Sequence, residues 1–459
     1  MSDNPSQTLQ AVNDMRADWA VVAPLMGGTK AMRAASKSLL PQYPAETDDA
    51  YAARLKQSTL LPAYSETVST MTDRVFAEPL QLGDDVPEEI AGWCLDIDRA
   101  GSDLNNWAVN WFRAGLSHGL CHALIEYPRA NGVRTRADEI KAGLRPYAVL
   151  IRPEQVLGWR ADAGRLVQVR YLESVEESDG EFSIKAVEQV RVLEPGRWRV
   201  FRQDEKGGWL LHDEGVTSLS SIPLVTFYTG RTGMMTARPP LLELAHLNVK
   251  HWQSQSDQDN ILHVIRVPIL VRKGMETRYD TQGNPLPAEF KVGAGTLTDL
   301  PRDGDMAYVE HTGAAVGSGR EALQDLITEM RMAGAKLLQQ DKSKQTKTAT
   351  QAAEDAAQEL SPLARMAGQF SDCLAQLLQF MADYRGLPDG GSVEVRGNFE
   401  RDFAPEVSVP QLLQMANAGK LSDETLFTEM QRRGIISDEY DWATELERIA
   451  AQGPAPGAL

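Results

Sequence analysis

The residues with most chemical potential lie in "HGLCHALIE", which places His118, Cys121, His122 and Glu126 within nine positions. On one continuous helix, His118, His122 and Glu126 would share a face and could ligate a transition metal. Gly119 and the run "ALIEYP" instead predict a helix that ends at His118 and a strand after it. That break separates the two imidazoles, so packing and surface roles are the preferred reading and no metal site is expected. His246 and His251 are five apart, the wrong offset for one helical face. Asp257 and Asp259 are two apart and point in different directions, so they are no acid/base dyad on their own. The chain has no GxxxxGK[ST], no HExxH and no GxSxG. "VGAGTL", residues 292–297, lacks a third glycine and a following helix, and reads as a β-turn. Aromatic and basic residues do not interleave on any strand as a single-strand binding platform would need.

A different signal is "QQDKSKQTKTATQAAEDAAQ", residues 339–358, which carries Lys342, Lys344 and Lys347 in a polar run between two helical patterns. The chain around it is acidic: 47 lysines and arginines oppose 64 acids, for a net charge of -17. A whole-protein basic footprint is absent, which argues against a conventional sequence-specific DNA binder. The loop is either a solvated helix-to-helix connection or a local contact for a polyanion. Cys94, Cys121 and Cys373 are widely spaced with no CxxC pair, so neither a zinc site nor a disulfide framework is suggested. The N-terminal "MSDNPSQTLQAVNDMRADW" has no signal-peptide pattern, and no apolar run approaches the roughly 20 residues needed to span a bilayer.

The elements around these residues predict an α+β chain. Residues 1 to 80 read as helical. Tyr51, Leu55, Leu60, Tyr64, Val68, Met71 and Val75 form one apolar face, broken near Pro62. A second helix, "DLNNWAVNWFRAGLSHG", turns Leu104, Trp107, Ala108, Trp111 and Phe112 inward. The period then shortens. "PYAVLIRPEQVLGWR", "GRLVQVRYLESVEES", "EFSIKAVEQVRVLEPGRWRVFRQ" and "GWLLHDEG" predict a mostly antiparallel strand-rich module.

From Leu241 to Arg266 a helix runs without glycine or proline, roughly 39 Å at 1.5 Å per residue. Its ends are apolar and its middle, "QSQSDQDN", is polar. Such a waist is hard to bury inside one subunit, and suggests packing against other copies or an aqueous space. Pro268 ends it. "VPILVRKG" and two further strands, turning through Asp303-Gly304, predict a small β module over about 267–318. A helix follows from Arg320, with Leu323, Leu326, Ile327, Met330, Ala333 and Leu337 on one face. A third runs from Thr348 to Gly386 with a bend near Pro362. The tail is helical, opened at Ser408 and Pro410 and capped by Ser422 and Ser437, with Gly419 and Gly434 in C′ positions.

"YAARLKQSTLLPAYSETVSTMTDRVFAEP", "PPLLELAHLNVKHWQSQSDQDNILHVIRVPILVRKG", "LPRDGDMAYVEHTGAAV", "LQDLITEMRMAGAKLL" and "GKLSDETLFTEMQRRGII" together resemble the tailed-bacteriophage portal proteins, over roughly residues 40–450. None of these is a catalytic fingerprint; the resemblance rests on order and pattern. It implies a non-enzymatic, cofactor-free subunit of a ring, usually of twelve copies, at one capsid vertex of the virion, assembled in the host cytoplasm. Residues 1–240 would form a wing, 241–263 and 320–340 paired stem helices, and 264–319 a clip. Residues 341–349 would be a tunnel loop, 350–405 a return to the wing, and 406–459 a helical crown. The implied partners are double-stranded DNA without sequence preference, the terminase large subunit, a head-completion or neck adaptor protein, and the major capsid protein with a scaffold. No membrane is implied.

On that basis Lys342, Lys344 and Lys347 are expected to touch DNA phosphates. Gln255, Asp257 and Asp259 form the waist of the stem, and Arg266, Arg272 and Lys273 meet a clip partner. For these last three, solvated edge charges are an equal reading. The alternatives are another ring-forming head-to-tail connector or, from a different class, a metal-dependent nuclease or hydrolase.

Overall fold

The computed structural model describes residues 4–128, 143–265, 269–273, 281–283, 305–309, 314–337, 361–397, 405–432, 435–437 and 440–452. The class is α+β, as the periodicities predict. The chain divides into two compact units. One comprises Met1–Trp19, Glu66–Pro240 and Ala335–Leu459, the other Ala20–Ser65 and Leu241–Gly334. Among the described residues no helix is long and apolar enough to cross a membrane.

The elements up to Glu126 are α1 (Gln10–Met26), α2 (Gly28–Ala35), α3 (Asp48–Gln57), α4 (Ala63–Val75), β1 (Gln81–Leu82), α5 (Glu88–Trp93), α6 (Leu104–His118) and β2 (Leu120–Glu126). Asp103 caps α6 by accepting from Asn106 N at 2.7 Å. Gly119 ends it at φ +92°, and a Cβ there would stand 2.7 Å from the Arg238 backbone, so only glycine fits. The predicted inward face of α6 is buried as expected. Trp111 and Phe112 join Phe227 and Phe370 in an aromatic cluster with ring centroids 4.8–6.4 Å apart.

β2 is the centre of a three-stranded antiparallel sheet between β3 (Tyr147–Ile151) and β9 (Leu224–Tyr228). The strand-rich module is a five-stranded antiparallel meander. Its strands are β4 (Val156–Asp162), β5 (Arg165–Ser178), β6 (Ile184–Glu194), β7 (Arg197–Gln203) and β8 (Trp209–Val216), in sequence order. One face packs Val169, Tyr171 and Leu193 against α1 and β2 through Val12, Trp19, Leu120 and Leu124. The opposite face carries Leu157, Val190 and Val192, with Leu172, Phe201 and Trp209 partly covered.

Polar residues lock the two sheets together. Arg191 on β6 reaches Glu126 of β2 at 2.8 Å and Glu173 of β5 at 3.8 Å. Tyr147 of β3 donates to the same Glu126 at 2.8 Å, and Gln189 donates to Glu173 at 2.6 Å. Burial pushes the Glu173 carboxyl up.

Two short hairpin strands follow, β10 (Arg231–Gly233) and β11 (Thr236–Ala237). Next come α7 (Leu242–Ile265), β12 (Ile269–Lys273), β13 (Asp305–Val309), α8 (Ala314–Ala335), α9 (Pro362–Arg385) and β14 (Val393–Glu394), which pairs with β1. The tail is α10 (Pro405–Asn417), α11 (Asp423–Arg432) and α12 (Trp442–Gln452).

Four sequence expectations are corrected here. α8 begins at Ala314 rather than Arg320, so Gly317 and Gly319 lie inside it. A Cβ on Gly319 would fall 2.2 Å from Gln258 Oε1 on α7, so close packing overrides glycine's poor helix propensity. α9 does not bend at Pro362 but starts there: Ser361 is extended and accepts from Ala364 N, and proline fits the first helical position. α10 starts at Pro405 and carries Pro410 internally, without that residue's backbone hydrogen bond. α12 is capped by Asp441, which accepts from Thr444 N at 3.0 Å, not by Ser437. Ser422 caps α11 as expected, through Thr425 N at 3.2 Å, and Gly419 takes φ +67°. Gly434, the Asp303-Gly304 turn, one of the two later strands of the β module and the helix expected over 348–360 lie outside the described residues.

Candidate functional site

The histidine cluster resolves as the strand signal predicts. His118 ends α6 with Nδ1 2.7 Å from Ser117 Oγ and Nε2 2.8 Å from Glu154. His122 sits on β2 with Nδ1 2.9 Å from Thr226 Oγ1. Burial pushes its imidazole down to about 3, so it is neutral. Against the upward push of its own burial, the hydrogen bond from His118 holds the Glu154 carboxyl below its usual range.

Ser117, His118 and Glu154 thus stand in the order of an acyl-transfer triad. Ser117, however, is 1% exposed and donates its hydroxyl to Ala114 O at 3.0 Å, which leaves no path for a substrate carbonyl. Among the described residues no three His, Cys, Asp or Glu side chains are grouped to hold a metal ion.

The long helix α7 is the element with an unusual sequence, and several of its polar residues are bonded within its own unit, while His251 Nδ1 and Trp252 Nε1 are buried without a partner among the described residues. Asn248 is fully buried. It accepts from Tyr64 N at 3.0 Å and donates to Leu61 O at 2.9 Å, which satisfies the start of α4 where Pro62 interrupts the chain. Gln253 donates to Leu39 O at 2.9 Å. Ser256 is bonded to Ser58 Oγ at 2.9 Å and to Arg54 at 3.4 Å. Gln258 donates to Val316 O of α8 at 3.1 Å.

Behind Ser256 lies a buried ion pair. Arg54 Nε and Nη2 meet the two oxygens of Glu46, each at 2.8 Å, and Nη2 also donates to Pro41 O at 2.8 Å. The Arg54 guanidinium stacks 4.4 Å from the Tyr43 ring. The hydrogen bond from Arg54 holds the Glu46 carboxyl below its usual range. Tyr43 donates its hydroxyl to Asp257. Burial, and then the Asp257 carboxylate, push that phenol up to about 12.

The three waist residues singled out from sequence do not converge. Gln255 donates to Asp259 at 2.8 Å on one face, both half-buried, while Asp257 faces Tyr43. The expectation that the waist needs another copy or water is therefore corrected for its inward half, which α3, the segment before it and α8 already satisfy. Sequence reasoning missed Arg54 and Tyr43 because they lie some 200 residues from Ser256 and Asp257, and Glu46 because what it does for α7 is to hold Arg54.

Of the expected clip residues, Arg272 and Lys273 are on β12, which pairs antiparallel with β13. The register sets Arg272 across from Met306 and the exposed Lys273 across from the exposed Asp305, an opposite-charge pair. Arg266 lies outside the described residues, as do Lys342, Lys344 and Lys347.

Residues 240–385, from just before α7 to the end of α9, match the model of a family described as a domain of unknown function (DUF4055). No curated protein matches the chain. Among solved structures, the chain is similar to one in the virion of a native gene transfer agent (GTA) particle. That match has 13% identity and a TM-score of 0.39, and covers 80% of this chain and 88% of that one. It is also similar to a chain in the neck of an empty GTA particle, at 14% identity and TM-score 0.40, over 79% and 88%. A third is a chain in the neck of the native particle computed with C12 symmetry, at 14% and 0.37, over 82% and 89%.

Proposed function

We propose that this chain is a portal subunit: a ring at one capsid vertex through which double-stranded DNA is packaged and ejected. The observation that supports this best is the chain order in one compact unit. A 24-residue helix leads into an antiparallel strand pair, and a 22-residue helix leads back. That order fits stem, clip and stem, with α10, α11 and α12 as a crown. The residues between α8 and α9 then hold the tunnel loop. The reading makes the protein a non-enzymatic part of the virion, and assigns the energy of packaging to a separate terminase ATPase.

The acidic total suits a conduit, because like charge keeps DNA from sticking to the wall. Lys342, Lys344 and Lys347 supply a few sequence-independent, salt-sensitive phosphate contacts. Arg266, Arg272 and Lys273 face the terminase or the neck adaptor, and the wing meets the capsid protein and scaffold.

The test is the mass of the purified protein by light scattering, with negative-stain images of the same fraction. A ring of about twelve 50.6 kDa chains with a central hole supports the reading. A chain that stays monomeric with and without capsid and scaffold proteins, or that cleaves DNA with a divalent metal, overturns it.

A further inference from the structure

We propose that the five-stranded sheet continues from one copy of the chain into the next. The open edge of β8 in one subunit adds, in parallel, to the outer end of β4, Trp159–Asp162, in its neighbour. This rests on the ring reading above and specifies how two copies meet.

The first ground is the edge itself. Among the described residues β8 has β7 on one side and no strand on the other. Its sequence, "WLLHDEGV", has neither lysine nor proline; a bulge at His212 and the charges of Asp213 and Glu214 blunt its second half, so Trp209–Leu211 is the open stretch. Leu210 is 60% exposed, Leu211 49% and Val216 84%. An apolar row crosses four strands through Leu172, Val190, Phe201 and Leu211, each paired with the next, and ends half-covered at Leu211. A further strand would complete it. At the other end of the sheet β4 is the opposite edge. Its inner part is closed where Leu9 N donates to Leu157 O at 2.9 Å, while Arg160, Ala161 and Asp162 are exposed.

The second ground is charge. The β8 edge and the turn before it carry Asp204, Glu205, Asp213 and Glu214 against Lys206, and Glu214 is already paired with Arg197 of β7. The β4 edge and its flanks carry exposed Arg152, Arg160 and Arg165 against Glu154 and Asp162. The β8 edge is net acidic and the β4 edge net positive by one charge, so the two edges are complementary in sign.

The third ground is direction. In an antiparallel meander the first and fifth strands run the same way. The small rotation between neighbours in a ring of about twelve turns that direction by at most about 30°, so a β8-to-β4 join is parallel. A two-fold dimer would instead pair β8 with β8 antiparallel, joining two edges of the same acidic sign, which is less favourable than joining edges of opposite sign. Head-to-tail contacts between different edges are the kind that close into rings.

The experiment uses the full chain with Leu210→Cys and Arg160→Cys, both exposed positions, and a short bis-maleimide that tolerates a residue of register slip. Cys94 and Cys121 are buried and Cys373 is half-buried, so the parent and both single variants give the background. The join predicts a ladder of dimers, trimers and higher multiples from the double variant alone. Dimers from Leu210→Cys alone would reveal β8-to-β8 pairing and overturn the proposal. Rings by light scattering with no ladder would overturn the join and leave the ring reading standing. Monomers under all conditions would remove both.

Independently, Leu210→Lys with Leu211→Lys should cut the ring fraction about tenfold at fixed concentration. The circular dichroism of the monomer should not change. An unchanged ring fraction refutes the join.

Discussion

Glu46→Gln isolates the contribution of the clamp under α7. The Glu46 and Arg54 side chains are 8% and 4% exposed and meet oxygen to nitrogen at 2.8 Å twice. Removing one member of such a pair leaves the other charge buried, at a cost of about 3–5 kcal/mol. Arg54 keeps Pro41 O and Ser256, so the lower end, about 3 kcal/mol, is expected. At 1.4 kcal/mol per decade that is roughly a hundredfold in an opening equilibrium.

Amide hydrogen exchange reads it locally. Residues 48–57 and the middle of α7 should lose about two decades of protection, while β4–β8 should not change. The double variant Glu46→Gln with Arg54→Met should lose much less than the sum of the singles. The pH dependence has a fixed sign. The Glu46 pKa is lowered in the folded chain, so its contribution is present above the unfolded value and lost as pH falls through the folded one. Glu46→Gln should remove that acid sensitivity. Loss of less than about 1 kcal/mol in each single variant would refute the clamp.

His122 is buried neutral, its pKa lowered to about 3. The unfolded chain therefore takes up a proton near pH 6.5 that the folded chain refuses until about 3. Stability should fall across that window, and urea titrations of His122→Asn should show a shallower fall. Gly119→Ala forces a side chain into φ +92° against the Arg238 backbone and should cost about 1–3 kcal/mol in thermal unfolding. An unchanged midpoint would contradict the geometry. Asp103→Ala removes the cap of α6 and should cost about 1 kcal/mol, with Asp103→Ser restoring most of it. On the proposed portal reading, charge reversal at Lys342, Lys344 and Lys347 should lower packaging efficiency or packaged DNA length in a complementation assay. Unchanged values would leave the loop as a solvated connection.

Local signals carried far in this chain. Asp103, the apolar period of α6 and Gly119 mark a helix and its end, and the β-branched run after them marks β2. Ser422 and Gly419 likewise mark a start and a stop by chemistry that needs no tertiary help. The start of α8 was not legible, because Gly317 and Gly319 argue for a turn until Gln258 of a distant helix packs against them. The pairing of β14 with β1 was not legible either, since nothing local names a partner roughly 310 residues away. The polar waist misled because composition shows which groups need partners but not that Arg54, Ser58 and Leu39 supply them.

The order in which the chain leaves the ribosome gives the aromatic cluster a kinetic meaning. Trp111, Phe112 and Phe227 are made early, but Phe370, which touches all three, follows Phe227 by roughly 140 residues. At 5–20 residues per second that gap lasts roughly 7–30 s. Throughout it the nascent chain holds an apolar socket open while the whole of α7 and α8 is being synthesised. Such a socket is a natural ligand for a chaperone. Its closure by α9 couples completion of the strand-rich unit to near-completion of the polypeptide, so fragments ending before residue 370 should aggregate rather than assemble.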